Sequence, residues 1–98
     1  MSNTYEIEYT DTFGGMANYC WVQHATVHMP ELTHYGYDGS NGYARANKIA
    51  NRELMKRAKA EMGLTGVRGR VENYGDMIEF RPYGSCTVMF VTFKESEA

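Results

Sequence analysis

"TYEIEYTDTFGGMANYCWVQHATVHM", residues 4–29, is the stretch that decides the fold. Its first seven residues alternate, with Tyr5, Ile7 and Tyr9 on one side and Glu6 and Glu8 on the other, the period of two that marks a half-buried strand. Gly14 and Gly15 follow, of the residue type that accepts positive φ in a tight connection, and a β-rich run begins directly after them. Residues 4–10 and 18–29 are therefore expected to pair as an antiparallel hairpin. On the second strand Tyr19, Trp21, Ala25, Val27 and Met29 are assigned to one face and Cys20, Val22, His24, Thr26 and His28 to the other, with Pro30 as the stop. The Trp21 face is expected to meet the core.

Downstream, residues 42–62 carry the helical period, with Ser40 or Asn41 as N-cap and Gly63 as the left-handed stop. At 100° per residue Tyr43, Ala50, Leu54, Ala58 and Met62 form the stripe expected to lie on the sheet, interrupted by Asn47 and Asn51. Strands are expected at 67–73, 77–81 and 86–93, separated by the turn signals Tyr74-Gly75-Asp76 and Pro82-Tyr83-Gly84-Ser85. The last of them is apolar on both faces, Val88 and Phe90 against Met89 and Val91. The chain order β-β-α-β-β-β predicts an α+β fold of two layers, an antiparallel sheet with one long helix packed on one face. Residues 1–98 are expected to form a single domain, 94–98 a frayed tail.

A net charge of −2 carries no whole-molecule signature of nucleic-acid binding, so any such activity needs a local patch. No apolar run approaches the roughly 18–20 residues that span a bilayer, and no secretory signal is visible, so a cytoplasmic protein without membrane contact is expected. Cys20 and Cys86 make no metal-type or disulfide pattern and are expected in the core. His24 and His28 share a strand face about 13 Å apart, too far to share a metal. Neither a nucleotide fingerprint nor a nucleophile-base motif is present, and no catalytic residue, cofactor or metal site is expected.

Two features stand out as candidate contacts. Arg45, Lys48, Arg52, Lys56 and Lys59 follow the spacing 3, 4, 4, 3 and fall within an arc of about 80° on the helix, away from its apolar stripe. With Arg57 the helix has six of the ten basic residues against Glu53 and Glu61, a net +4 that leaves −6 on the rest of the chain. Such a ridge suits phosphates or an acidic protein surface; the alternative is a solvated helix face. Tyr35, Tyr37 and Tyr43, spaced by Gly36, Asp38, Gly39 and Gly42, form the aromatic-and-glycine mixture that binding loops favour, the alternative being rings folded back on the sheet. Glu6, Glu8, Arg68, Arg70, Glu72, Glu79 and Arg81 are expected as cross-strand pairs on a wet face.

At "YEIEYTDTFGGMANYCWV" and again at "GLTGVRGRVENYGDMIEFRPYGSCTVMF" the chain resembles a group of small uncharacterised bacteriophage and prophage proteins. The resemblance spans most of the chain and brings no catalytic residue with it. What it implies is a short phage protein in a bacterial cytoplasm, acting by binding a host protein or ribonucleoprotein complex, as an antagonist of host defence of the anti-CRISPR or anti-restriction type. A nucleic-acid-binding accessory module using the basic helix face is the alternative. A homodimer is a further expectation: if Trp21 and Phe90 face the helix, then Val22, Met89, Val91 and Phe93 form an apolar patch on the opposite face that a second copy or the tyrosine loop should cover.

Overall fold

The computed structural model describes residues 2–97, which form one antiparallel five-stranded sheet with a helix on one side, the α+β two-layer arrangement. The elements are β1 (Ser2–Phe13), β2 (Met16–Pro30), a 3-10 turn (Leu32–Tyr35), α1 (Tyr43–Glu61), β3 (Gly69–Asn73), β4 (Met77–Pro82) and β5 (Thr87–Glu97). The strand order is β2-β1-β5-β4-β3, which puts β1 and β5 inside and leaves β2 and β3 as edges. β5 runs on through residues the sequence reading gave to a tail, its backbone pairing with β1 as far as Ser2 opposite Glu97. Ala98 lies outside the described residues.

Register explains the core. Ile7 is opposite Ala25 on one side and Val91 on the other, Tyr9 is opposite Met89, and Met89 and Val91 in turn face Phe80 and Ile78 of β4. These side chains point to one face, where Leu54 and Ala58 of α1 and its C-cap Met62 close over them. Burying each such side chain fully stabilises by about 1.5–3 kcal/mol. The face expected for the last strand is therefore reversed: Met89 and Val91 are buried beneath the helix, and Phe90 and Val88 lie on the outer face with Val22. Both faces of that strand are apolar, so its own pattern contained no parity signal. The apolar patch that motivated a dimer does not exist in that form.

Two further assignments change. Tyr19 has φ 56, a left-handed conformation that costs a non-glycine residue about 1–2 kcal/mol. It is held by Asp11, whose carboxylate accepts the Cys20 N–H at 2.9 Å and the Asn18 amide at 2.9 Å next to a register shift between Thr10 and Thr12. The Asn18 hydrogen bond foremost keeps the Asp11 carboxyl below its ordinary range. This bulge swings Tyr19 to the outer face and leaves Cys20 exposed; Cys86, just ahead of β5, is exposed as well. Trp21 keeps the inner face, edge-on to Tyr9 at 5.3 Å, yet it is 41% exposed because the helix does not reach that end of the hairpin.

The helix begins one residue later than expected, and Gly42 rather than Ser40 or Asn41 is the N-cap. Its φ of 79° and its position explain the glycine: a Cβ there would lie 2.9 Å from the Gly36 carbonyl oxygen. Ala46 replaces Tyr43 on the buried stripe, and Tyr43 is 55% exposed. On the outer face the like charges are what sit opposite one another, Arg70 across from Arg81 and Glu72 across from Glu79. Each is neutralised along its own strand instead, in the pairs Arg70–Glu72 and Arg81–Glu79.

Candidate binding groove

The helix sits off-centre on the sheet. On its β2 flank it is tied down: Arg57 donates to the His28 carbonyl at 2.9 Å and to Glu53 at 3.0 Å, and Tyr35 of the 3-10 turn packs against the core beside them. Burial first, then the nearby Glu53 charge, raises the Tyr35 pKa, although the hydroxyl itself makes no hydrogen bond. The other flank lies apart from β3. Val71 points to the inner face yet is 52% exposed, because no helix residue covers it. At Gly69 any side chain would meet the Arg81 carbonyl and the Phe80 ring, so this end of β3 admits only glycine.

Between α1 and β3 runs a groove of about 480 Å³. Val71, Asn73 and Ile78 form its floor, Asn51, Arg52, Met55, Lys56 and Lys59 its wall, and Thr65 and Gly66 its end. Lys59 is the most constrained of the cations, donating to the Val67 carbonyl at 3.0 Å with its ammonium 4.4 Å from the centre of the Phe80 ring. Arg52 and Lys56 are exposed and share no ion pair with a described carboxylate. Toward the helix N-terminus the groove meets a second cleft of about 430 Å³ bordered by Tyr5, Asn47, Asn51, Asp76 and Phe93, which is where the two asparagines of the stripe lie.

The basic ridge is thus divided by its surroundings. Arg52, Lys56 and Lys59 overhang the groove, Lys48 is exposed on the outer surface, and Arg45 borders a hollow of about 540 Å³ with Tyr35, Asp38 and Ile49. The tyrosine loop is occupied with itself. The Asp38 carboxylate accepts the N–H groups of Ser40 at 3.0 Å and Asn41 at 2.6 Å, and these bonds, that of Ser40 foremost, hold its pKa below the usual range. The Tyr37 hydroxyl donates to the Gly39 carbonyl at 3.0 Å and its ring stands edge-on to Tyr43 at 5.6 Å. Of the loop's three tyrosines, Tyr43 alone is exposed.

Two features escaped the sequence reading. The tip of the long hairpin exposes Phe13 (79%) and Met16 (74%), beyond the reach of α1. On the outer face Glu6, Glu8 and His24 bring one ligand-type atom each to within 4.8 Å of one another. The signal was available in the register, since Glu8 lies opposite His24. The protein's own groups already engage this set: Lys94 pairs with Glu6 at 3.5 Å, His24 approaches Glu8 at 4.0 Å, and the Glu8 carboxylate beside the Tyr19 phenol raises the Tyr19 pKa. Among the described residues no helix is long and apolar enough to cross a membrane. Comparison with protein families, with curated proteins and with solved structures finds no match.

Proposed function

We propose that the chain is a non-enzymatic binding protein whose contact surface is the groove between α1 and β3 with the cationic ridge above it, and that its partner presents carboxylates. The observation that supports this is the placement of Arg52, Lys56 and Lys59, three cations along an apolar groove open to solvent. Desolvated carboxylate contacts of Arg and Lys are among the stronger polar contacts, and an apolar floor adds area burial to them. The resemblance to bacteriophage proteins supplies the setting: a protein of the bacterial cytoplasm that modulates or inhibits a host complex, as an antagonist of host defence.

Affinity capture from host lysate tests this reading. A stoichiometric protein partner retained by the unmodified chain and lost with Arg52→Glu plus Lys56→Glu is the expected result; no partner, or one indifferent to the double change, overturns it. A second reading, binding to a nucleic-acid backbone, draws on the alignment of Arg45, Lys48, Arg52 and Lys56 without carboxylate partners among the described residues. It requires polarisation of labelled DNA or RNA that falls steeply with salt and drops with Lys48→Glu as much as with Lys56→Glu.

A further inference from the structure

β3 is an edge strand, and its hydrogen-bond parity decides what that edge offers. In an antiparallel pair the residues alternate between those that exchange bonds with the partner strand and those whose N–H and C=O point away from it. The Tyr83 N–H donates to the Arg68 carbonyl at 3.0 Å and the Tyr74 N–H to the Met77 carbonyl at 2.8 Å, which fixes residues 68, 70, 72 and 74 as those bonded to β4. Gly69, Val71 and Asn73 therefore turn their backbone donors and acceptors outward, to the free edge. The same three residues point to the inner face, and Val71 and Asn73 are the groove floor. Backbone pairing groups and groove thus lie side by side.

Extending the sheet by one strand at this edge would extend the groove floor. Alternate side chains of that strand would rise beside the helix flank, where Met55 offers apolar contact and Arg52, Lys56 and Lys59 offer positive charge. A glutamate fits such a position with its stem on apolar surface and its carboxylate at the cations. A second copy of this chain does not fit: pairing β3 with β3 would set two groups of Arg52, Lys56 and Lys59 over one continuous floor, like charge against like. We infer that β3 accepts an extended acidic segment of a partner protein as a sixth strand, antiparallel or parallel to it, with acidic side chains at alternate positions directed into the groove. This rests on the binding reading above and names the form of the partner.

A capped, fluorescein-labelled peptide of sequence Thr-Glu-Val-Glu-Val-Glu-Thr tests the inference by anisotropy. Binding is expected, and it is expected to weaken roughly tenfold or more in each of three arms, the factor that corresponds to one charge-assisted hydrogen bond. In the first arm lysine replaces glutamate in the peptide, and in the second the protein carries Arg52→Glu plus Lys56→Glu. The third uses two peptides N-methylated at alternate amides, one in each register; the one that carries the methyl groups on the amides facing β3 loses its pairing donors and should lose binding, and the protein is left untouched. Val71→Pro, which deletes an outward N–H that β4 does not use, should act like N-methylation; the methylated peptides decide the matter if that variant fails to fold. N-methylated peptides that bind as well as the parent, or a lysine peptide that does, overturn the inference. If the parent peptide does not bind while capture of the host partner still depends on Arg52 and Lys56, strand addition falls and the binding reading stands. Methylation-sensitive peptide binding beside ridge-independent capture would keep the sixth-strand site and overturn the binding reading.

Discussion

The two flanks of α1 carry the same kinds of residue and differ in what surrounds them. On the β2 side Glu53 and Arg57 form an i,i+4 pair, Arg57 reaches the His28 carbonyl, and Tyr35 packs beside them. On the β3 side Arg52 and Lys56 face an open groove without a carboxylate partner among the described residues. The two edge strands repeat the contrast, since the Arg57 guanidinium engages a β2 carbonyl near the end of that strand, whereas Gly69, Val71 and Asn73 direct their backbone groups outward. Arg57 is thus part of what holds the helix on the sheet, whereas Arg52 and Lys56 have no such tie among the described residues and are the cations assigned to the proposed partner.

The largest effect expected of a single change falls on neither flank but on the core beneath both. Val91→Glu places a carboxylate at a position 1% exposed between Ile7 and Ile78, and it should cost at least about 3 kcal/mol, enough to unfold much of the chain in a urea titration. A monomer of unchanged stability would mean that β5 faces the other way and that the groove has a different floor. On the closed flank Arg57→Ala should cost about 1 kcal/mol through the lost hydrogen bond to His28, while capture of the partner persists. On the open flank Lys56→Glu should change stability by no more than about 0.5 kcal/mol and abolish capture. Phe13→Ser with Met16→Ser, at the exposed hairpin tip, should affect stability as little and leave capture intact; a loss of capture there would move the binding surface to the far end of the molecule.

The smallest effect concerns the tyrosine loop. The Asp38 carboxyl titrates below its ordinary value of 3.8 because it accepts the Ser40 and Asn41 amides. A depressed folded-state pKa stabilises above the unfolded value and ceases to do so as pH falls through the folded one. The Ser40 and Asn41 amide resonances should therefore shift together below that ordinary value, before β1 and β5 respond. Coincident change over the whole chain would show that the loop is not an independent unit.

Much of this is legible in the amino-acid sequence. Strict alternation in residues 4–10, the glycine pair and the helical period of 42–62 each report one physical constraint, burial on one face, positive φ or a stripe, and each element formed where its pattern lay. The face of β5 was not legible, because an interior strand covered in different ways on its two sides is apolar on both. Tyr19 was misplaced because a bulge resets alternation, and its cause is the side chain of Asp11 on the other strand. The groove could not be read from the chain at all: it depends on how far α1 lies from β3, a lateral distance that no periodicity encodes. The ridge was visible as charge, but the division of its members between groove, loop and solvent depends on that same distance.

The claim that β3 and the open flank of α1 form one recognition surface is tested most directly by amide NMR of the whole chain during titration with the alternating glutamate peptide. The account predicts that the Gly69, Val71 and Asn73 amides shift and become protected from exchange, that side-chain signals of Met55 move with them, and that β2 amides stay in place. Shifts confined to the hairpin tip or to the tyrosine loop, with the β3 amides exchanging as in the free protein, would contradict it.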